Sequence, residues 1–307
     1  MTRCGFAAVI GAPNAGKSTL VNALVGSKVA IVSPKVQTTR MNVRGVAMRG
    51  ETQIVFVDTP GIFKPRRRLD KAMVAAAWSG AGDADAVVHL VDAAEITEHP
   101  NGHAATDTDS IIEGLKTGNR KAALALNKID AMKRELLLPL AQRLDATGAY
   151  ELVFMISALK GDGLEELAAW CEAKMPEGPW LYLADQVADI PSRLLAAEIT
   201  REKIYLRLHD ELPYASAVET EKWEDKKDGS VRIDQIIYVQ RESQKPIVLG
   251  KGGRTIKAVG TAARARIAAF LDRTVHLDLW VTVWPKWRAD PARLAQLGLP
   301  TPKEKDR

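Results

Sequence analysis

The residues best suited to chemistry lie near the start of the chain. Gly11-Ala12-Pro13-Asn14-Ala15-Gly16-Lys17-Ser18 has the spacing G-x-x-x-x-G-K-[ST] of a phosphate-binding loop. Its glycines let backbone N–H groups wrap phosphate oxygens, Lys17 supplies a cation for the β and γ oxygens, and the Ser18 hydroxyl can ligate magnesium. Thr19 completes the binding segment. An ordinary strand, turn and helix that bind nothing is the bland alternative, and three further segments count against it. In Asp58-Thr59-Pro60-Gly61 a carboxylate can hold magnesium through water, and the Gly61 N–H can meet a γ-phosphate. In Asn127-Lys128-Ile129-Asp130 the Asp130 carboxylate can accept from the N1–H and exocyclic amine of guanine, a donor pair that adenine lacks. A buried carboxylate facing adenine would stay unpaired, a discrimination of roughly 4 kcal/mol. In Ser157-Ala158-Leu159 a backbone N–H can reach the guanine carbonyl oxygen.

A second constellation lies far downstream. Gly250-Lys251-Gly252-Gly253 sits between an apolar segment and an Ala-rich stretch, with Arg254 and Lys257 following. Glycines there allow close approach of a phosphate backbone, a helix N-terminus attracts it, and Lys251, Arg254 and Lys257 add charge. Alone, such a loop is better explained by a plain hairpin or helix-entry turn. The charge distribution favours the binding reading, because residues 241–273 carry a local surplus of about +6 in a chain whose net charge is +5. The pattern resembles the GXXG loop of a KH domain, which clamps single-stranded nucleic acid. Ile247, Val248, Leu249, Ile256 and Val259 can line a groove for splayed bases or serve as core. Of the nearby tryptophans, Trp280 reads as core, while Trp284 and Trp287, beside Lys286 and Arg288, are candidates for base stacking.

The elements that must position these residues follow from periodicity. Short apolar runs at 6–10, 53–58, 86–92, 122–127 and 152–156 alternate with helical stretches, the pattern of an α/β parallel sheet wound by helices on both faces. Each candidate nucleotide segment falls at a strand's carboxyl end, where open α/β sheets bind ligands. A helix is expected at 164–174, and the Pro- and Gly-containing run after it marks a boundary. The second half reads helix (192–208), strand (216–224), strand (231–241), helix (255–271), strand (275–283), a smaller α+β domain. The expected organisation is 1–175, a linker at 176–191, 192–290, and a C-terminal tail at 291–307, of which the charged, proline-containing 300–307 is expected to be disordered.

Composition bounds the alternatives. The 307 residues, 46% hydrophobic and 26% charged, sit at globular averages and exceed one typical domain. No apolar run approaches the roughly 20 residues that span a bilayer, so an integral membrane role is not expected. Cys4 and Cys171 stand alone, which suggests neither a disulfide framework nor a zinc site and fits a reducing cytoplasm. His89 lies in an apolar strand and reads as a core histidine.

Taken in order, the nucleotide segments resemble the boxes of translation-factor-class P-loop GTPases. With Gln37-Thr38-Thr39-Arg40, Glu211-Leu212-Pro213-Tyr214, the glycine loop and His276-Leu277-Asp278-Leu279-Trp280-Val281, nearly the whole chain resembles the Era family of bacterial GTPases. The resemblance implies a P-loop GTPase domain followed by a type II-like KH domain, with GTP or GDP and Mg²⁺ as ligands. It makes Thr39 the magnesium and γ-phosphate ligand, with Thr38 as the alternative, and gives a catalytic set of Lys17, Thr39 and Gly61. It further implies a monomeric ribosome-assembly factor that binds the 3′ end of 16S rRNA on the small subunit, and a peripheral association with the inner membrane. Ile62 stands where many GTPases carry a water-orienting glutamine, so slow intrinsic hydrolysis is expected. Arg40 is a conceivable contributor, or else a surface arginine. The stretch 95–109 reads as a polar loop longer than the family's. Two competing readings are an RNA-binding module whose nucleotide is structural, and a GTPase scaffold whose KH-like domain contacts proteins.

Overall fold

Five parallel strands make up most of the seven-stranded first sheet. The computed structural model describes residues 1–33, 35, 38–208, 212, 216–285, 287 and 290. Gln37, Glu211, Pro213, Tyr214, Lys286, Arg288 and the tail 291–307 lie outside the described residues. The chain divides into two compact units, Met1–Asp189 and one that begins at Ile190.

In the first unit the order is β1 (Arg3–Ile10), α1 (Lys17–Val25), β2 (Val43–Arg49), β3 (Thr52–Asp58), α2 (Arg68–Gly82), β4 (Ala86–Asp92), α3 (Ala93–Glu98), α4 (His103–Thr117), β5 (Ala122–Asn127), α5 (Leu137–Asp145), β6 (Tyr150–Met155), α6 (Leu164–Lys174) and β7 (Ala188–Asp189). The sheet runs β6-β5-β4-β1-β3-β2-β7. The β6-to-β3 portion is parallel, whereas β2 is antiparallel to both its neighbours. Every residue of β4 is buried because both faces of the sheet are covered. Val87 and Val91 pack with Ile96, Ile111, Leu115 and Leu140 on one face, while Val88 and Leu90 pack with Leu20, Val21, Leu167 and Cys171 on the other. His89 is fully buried, its Nδ1 2.8 Å from the Tyr150 hydroxyl.

Two expectations need correction. The stretch 95–109 is not a loop: it closes α3 and opens α4, with only 99–102 between them. Ala105, Thr108, Ile111, Ile112 and Leu115 form the buried helical stripe that its threonines and aspartates disguise in sequence. The expected linker is also partly structured, since β7 pairs with β2 and the buried Gln53 amide binds both Leu181 and Tyr182. A buried amide needs all its partners, and this segment supplies them.

The second unit contains α7 (Ser192–Arg207), β8 (Ala217–Asp225), β9 (Val231–Val239), α8 (Lys245–Leu249), α9 (Arg254–Leu271) and β10 (Val275–Val283). Its sheet runs β10-β9-β8, with β8 antiparallel and β10 parallel to β9. A parallel pair needs a long crossover, which α8 and α9 provide. Alternate residues of β9 are buried: Ile233 packs with Leu195, Ile199 and Ile267, and Ile237 with Ile204, Val259 and Val281. The short helix α8 was not expected from sequence. The tryptophan assignments reverse, because Trp280 on the edge strand is 47% exposed while Trp287 is 0% exposed and unavailable for stacking. Trp284 lies edge-on to Tyr238, with ring centroids 5.3 Å apart.

Candidate functional site

The glycine loop between β1 and α1 closes around tight contacts. Gly16 has φ 102°, and a Cβ there would lie 2.4 Å from Asn127 Nδ2, so neither the conformation nor the space admits another residue. Asn14 also holds a left-handed φ of 62°, the kind of local strain that surrounding structure must fix. Lys17 opens α1 and is buried, its Nζ donating to the Gly11 and Ala12 carbonyls at 3.1 and 2.8 Å. Burial pulls its ammonium down to about 8, against the attraction of Asp58.

Three oxygen donors from three segments meet beside it. Ser18 Oγ donates to Asp58 Oδ2 at 2.7 Å, Thr39 Oγ1 donates to the same oxygen at 3.1 Å, and the two hydroxyls are 2.8 Å apart. Burial lifts the Asp58 carboxyl to about 6, although Ser18, Lys17 and Thr39 oppose the shift. Its second oxygen, Oδ1, is buried without a hydrogen-bond partner. Thr38 is turned elsewhere, its hydroxyl donating to the Lys35 carbonyl at 2.6 Å and lying 2.9 Å from Ser33 Oγ. Of the two adjacent threonines, Thr39 is thus the one that bonds Asp58.

Asp58-Thr59-Pro60-Gly61 crosses directly under the phosphate loop. A Cβ on Gly61 would come within 3.0 Å of Pro13, and the Ile62 N–H donates to the Gly11 carbonyl at 3.0 Å. The Thr59 hydroxyl donates to the Val9 carbonyl at 2.7 Å, anchoring the turn to β1 rather than facing the cleft, and Pro60 is buried beside it. Ile62 packs its side chain into the core.

Asn127 fastens the far side. Its Nδ2 donates to the Ala15 carbonyl at 2.7 Å and its Oδ1 accepts the Ala158 N–H at 2.9 Å. The Ala158 amide is thus committed to Asn127, while Leu159 is exposed next to it. Asp130 accepts from the Ser157 hydroxyl at 2.6 Å. Lys128 pairs with Asp92, whose carboxylate also caps α3. Lys128, Ser18, Thr39, Gly61 and the phosphate loop line one cleft of about 360 Å³.

In the second unit the glycine loop leads into α9. Gly250, Gly252 and Gly253 have φ values of 73°, 61° and 75°, and Gly253 is the N-cap of the 18-residue helix. A Cβ on Gly250 would collide with Thr255 at 2.2 Å, whereas Gly252 and Gly253 face open space. Lys251, Arg254 and Lys257 are exposed around it. A cleft of about 350 Å³ lies between α9 and β10, lined by Ile256, Lys257, Gly260, Thr261, Arg264, Leu277, Asp278 and Leu279.

Comparison with known proteins agrees with this division. A family model described as a 50S ribosome-binding GTPase matches residues 6–128, and a KH domain model matches residues 211–288. GTPase Era of Caulobacter vibrioides is 59% identical over 305 residues, covering 97% of this chain and 96% of the relative. That of Maricaulis maris is 59% identical over 304 residues, covering 97% of each. The chain belongs to the Era family of GTPases. Among solved structures, a single-residue variant of Aquifex aeolicus Era bound to GDP and AlF4⁻ superposes with a TM-score of 0.89 at 38% identity, covering 97% of this chain and 99% of that one. An Era complex with MgGDPNP and nucleotides 1506–1542 of 16S ribosomal RNA gives 0.89 at 37% identity and the same coverage.

Set within the Era family, the chain is a P-loop GTPase with a C-terminal KH domain. Two of the site expectations change, and the choice between groove and core is narrowed for a third set. Arg40 is buried, not a surface residue. Asp130 is exposed, so the discrimination argued for a buried carboxylate applies only once a base covers it. Val248 and Val259 are core, which leaves Leu249 and Ile256 partly buried and Ile247 exposed. Sequence reading also missed residues. Asn22 holds the segment after α1 by accepting the Val29 and Ala30 N–H groups, both at 2.8 Å, and nothing in its spacing announces that. Gly260, Thr261 and Arg264 are legible in sequence, because they continue the helical stripe of Ile256 and Lys257 along α9, away from the glycine loop.

Proposed function

We propose that this chain is a guanine-nucleotide-controlled RNA-binding protein of small-subunit assembly: residues 1–175 bind and hydrolyse GTP, and residues 192–290 grip the 3′ end of 16S rRNA. The observation that carries the nucleotide half is the meeting of Ser18, Thr39 and Asp58. Two hydroxyls and a carboxylate are hard oxygen donors suited to Mg²⁺, and the buried, partnerless Asp58 Oδ1 fits a group that expects a cation or its water. When bound there, Mg²⁺ would neutralise charge on the β and γ phosphates.

The chain's own residues do the rest. The N-terminus of α1 and the loop N–H groups orient the phosphates, and Lys17, buried and close to Asp58, keeps a cation at the transferring group. Gly61, pressed against Pro13, presents its N–H, and Thr39 links the segment before β2 to the same phosphate. Asp130 selects guanine, with Ser157 orienting its carboxylate. Ile62 turns into the core and has no side-chain donor or acceptor to orient water, so intrinsic hydrolysis is slow and acceleration comes from a partner, an ion or another residue. A single-turnover rate matching that of a GTPase with its activator bound would refute this.

The RNA half is supported by the exposed glycine loop, its basic surround and the cleft between α9 and β10, together with the related Era structure that holds 16S rRNA nucleotides 1506–1542. The reading includes a monomer in the cytoplasm with a peripheral inner-membrane association, supported by family membership; among the described residues no helix is long and apolar enough to cross a membrane. The test is a titration of a single-stranded oligonucleotide matching the 16S 3′ end against GDP-loaded and GTP-analogue-loaded protein at fixed salt. Tighter binding in the GTP state, lost in Gly252→Asp and Gly253→Asp, is expected. Equal or absent binding in both states would favour the scaffold reading.

A further inference from the structure

The first unit carries a basic surface that the nucleotide cleft does not use. Three residues beyond Gly61 the chain reads Lys64-Pro65-Arg66-Arg67-Arg68, and all five residues are exposed. The segment is built rather than loose. The Asp70 carboxylate accepts the Arg66 and Arg67 N–H groups at 3.1 and 3.0 Å, Asp107 on α4 accepts the Lys64 N–H, and Leu69 is buried at the base. Both nearby carboxylates therefore bind backbone, and among the described residues none of the four cationic side chains forms an ion pair. Several other arginines are matched, Arg44 with Asp189, Arg49 with Glu165 and Glu172, Arg232 with Asp234 and Asp278, and Arg273 with Asp225. Four like charges held together on a fixed backbone repel one another until an anion arrives.

We propose that residues 64–68 form a second RNA-phosphate contact, on the GTPase unit and separate from the KH glycine loop. The guanidinium fork matches phosphate oxygens in two-point contact, and a row of them suits a repeating phosphate chain. A lipid surface is the poorer fit, because Pro65 is the run's single exposed apolar side chain, too little to enter an interface, while Phe63 is half-buried and Leu69 buried. The inference rests on the ribosomal-RNA reading. It adds that RNA is held beside the γ-phosphate-sensing turn as well as in the KH groove.

The experiment compares wild type with Arg66→Gln/Arg67→Gln/Arg68→Gln in the full chain loaded with a GTP analogue. Affinity for a folded transcript of the 16S 3′ domain is measured between 50 and 200 mM salt. A single-stranded tetranucleotide, the length a GXXG clamp takes, and anionic vesicles serve as second and third probes. The variant should bind the transcript on the order of tenfold more weakly at low salt, with a log–log salt slope shallower by about 2, while tetranucleotide binding is retained. Equal affinity and slope for variant and wild type would overturn the inference alone. Failure of the wild type to bind either RNA would overturn the ribosomal-RNA reading and this inference with it. Loss of vesicle binding with unchanged transcript binding would assign the run to a membrane and refute the proposal.

Discussion

Asn127 Nδ2 donates to the Ala15 carbonyl at 2.7 Å, joining two segments 112 residues apart. The same side chain accepts the Ala158 N–H, so one amide holds the phosphate loop to the base-side loop. Asn127→Ala strands both buried backbone groups, each worth about 1–3 kcal/mol when left unpaired. Urea unfolding without nucleotide should show a loss of about 2–4 kcal/mol, and titration should show weaker binding of GDP and GTP alike. An unchanged unfolding midpoint would mean the bond contributes nothing.

Asp58 is predicted to oppose folding and support function. Its carboxyl is raised from 3.8 to about 6, chiefly by burial. The folded state therefore holds the proton more tightly, and stability from this group is fully present below pH 3.8 and lost as pH rises through 6. Without Mg²⁺ at about pH 7.5, Asp58→Asn should be about 1–3 kcal/mol more stable than wild type, with the gap closing near pH 4. In thermal melts the same variant should lose the added stabilisation that Mg²⁺ gives in the presence of GTP.

The His89 imidazole carries the opposite sign. Burial holds it down to about 3 from an ordinary 6.5, so the unfolded chain takes up the proton first. Stability present above pH 6.5 is lost as pH falls toward 3. His89→Gln keeps a partner for the Tyr150 hydroxyl but does not titrate. Below about pH 6.5 wild type should lose stability relative to this variant by roughly 1.4 kcal/mol per pH unit, read from denaturant curves; parallel curves would exclude His89 as the source.

The glycines of the KH loop should separate by phenotype. Gly250→Ala drives a Cβ into Thr255 and ought to lower thermal stability visibly. Gly252→Asp meets open space and only a left-handed strain of about 1–2 kcal/mol, so it should fold and fail to bind RNA. Circular dichroism and an RNA titration on both variants check the pair.

What sequence made legible was set by how locally each element is determined. β4 could be read because burial on both faces leaves an unbroken apolar run, and the phosphate loop because its spacing is tied to phosphate chemistry. β2 was not read: Val-Arg-Gly-Val-Ala-Met-Arg lacks alternation, and Gly45 is there because Val25 and Val29 occupy the place of a side chain. The choice of Thr39 over Thr38 depended on where Asp58 arrives from β3, a tertiary fact. The exchange of roles between Trp280 and Trp287 has the same origin, since neighbours from other elements decide which indole is covered.

The Asn127 linkage also sets a timetable during synthesis. Ala15 is made early, but its partner waits until residue 127, and the pairing of Asn127 with Ala158 waits for β6 to be completed. At elongation rates of about 5–20 residues per second that delay is roughly seven to thirty seconds, during which the nascent phosphate loop lacks the far wall of its cleft. A growing chain therefore cannot complete its nucleotide cleft until half of it exists.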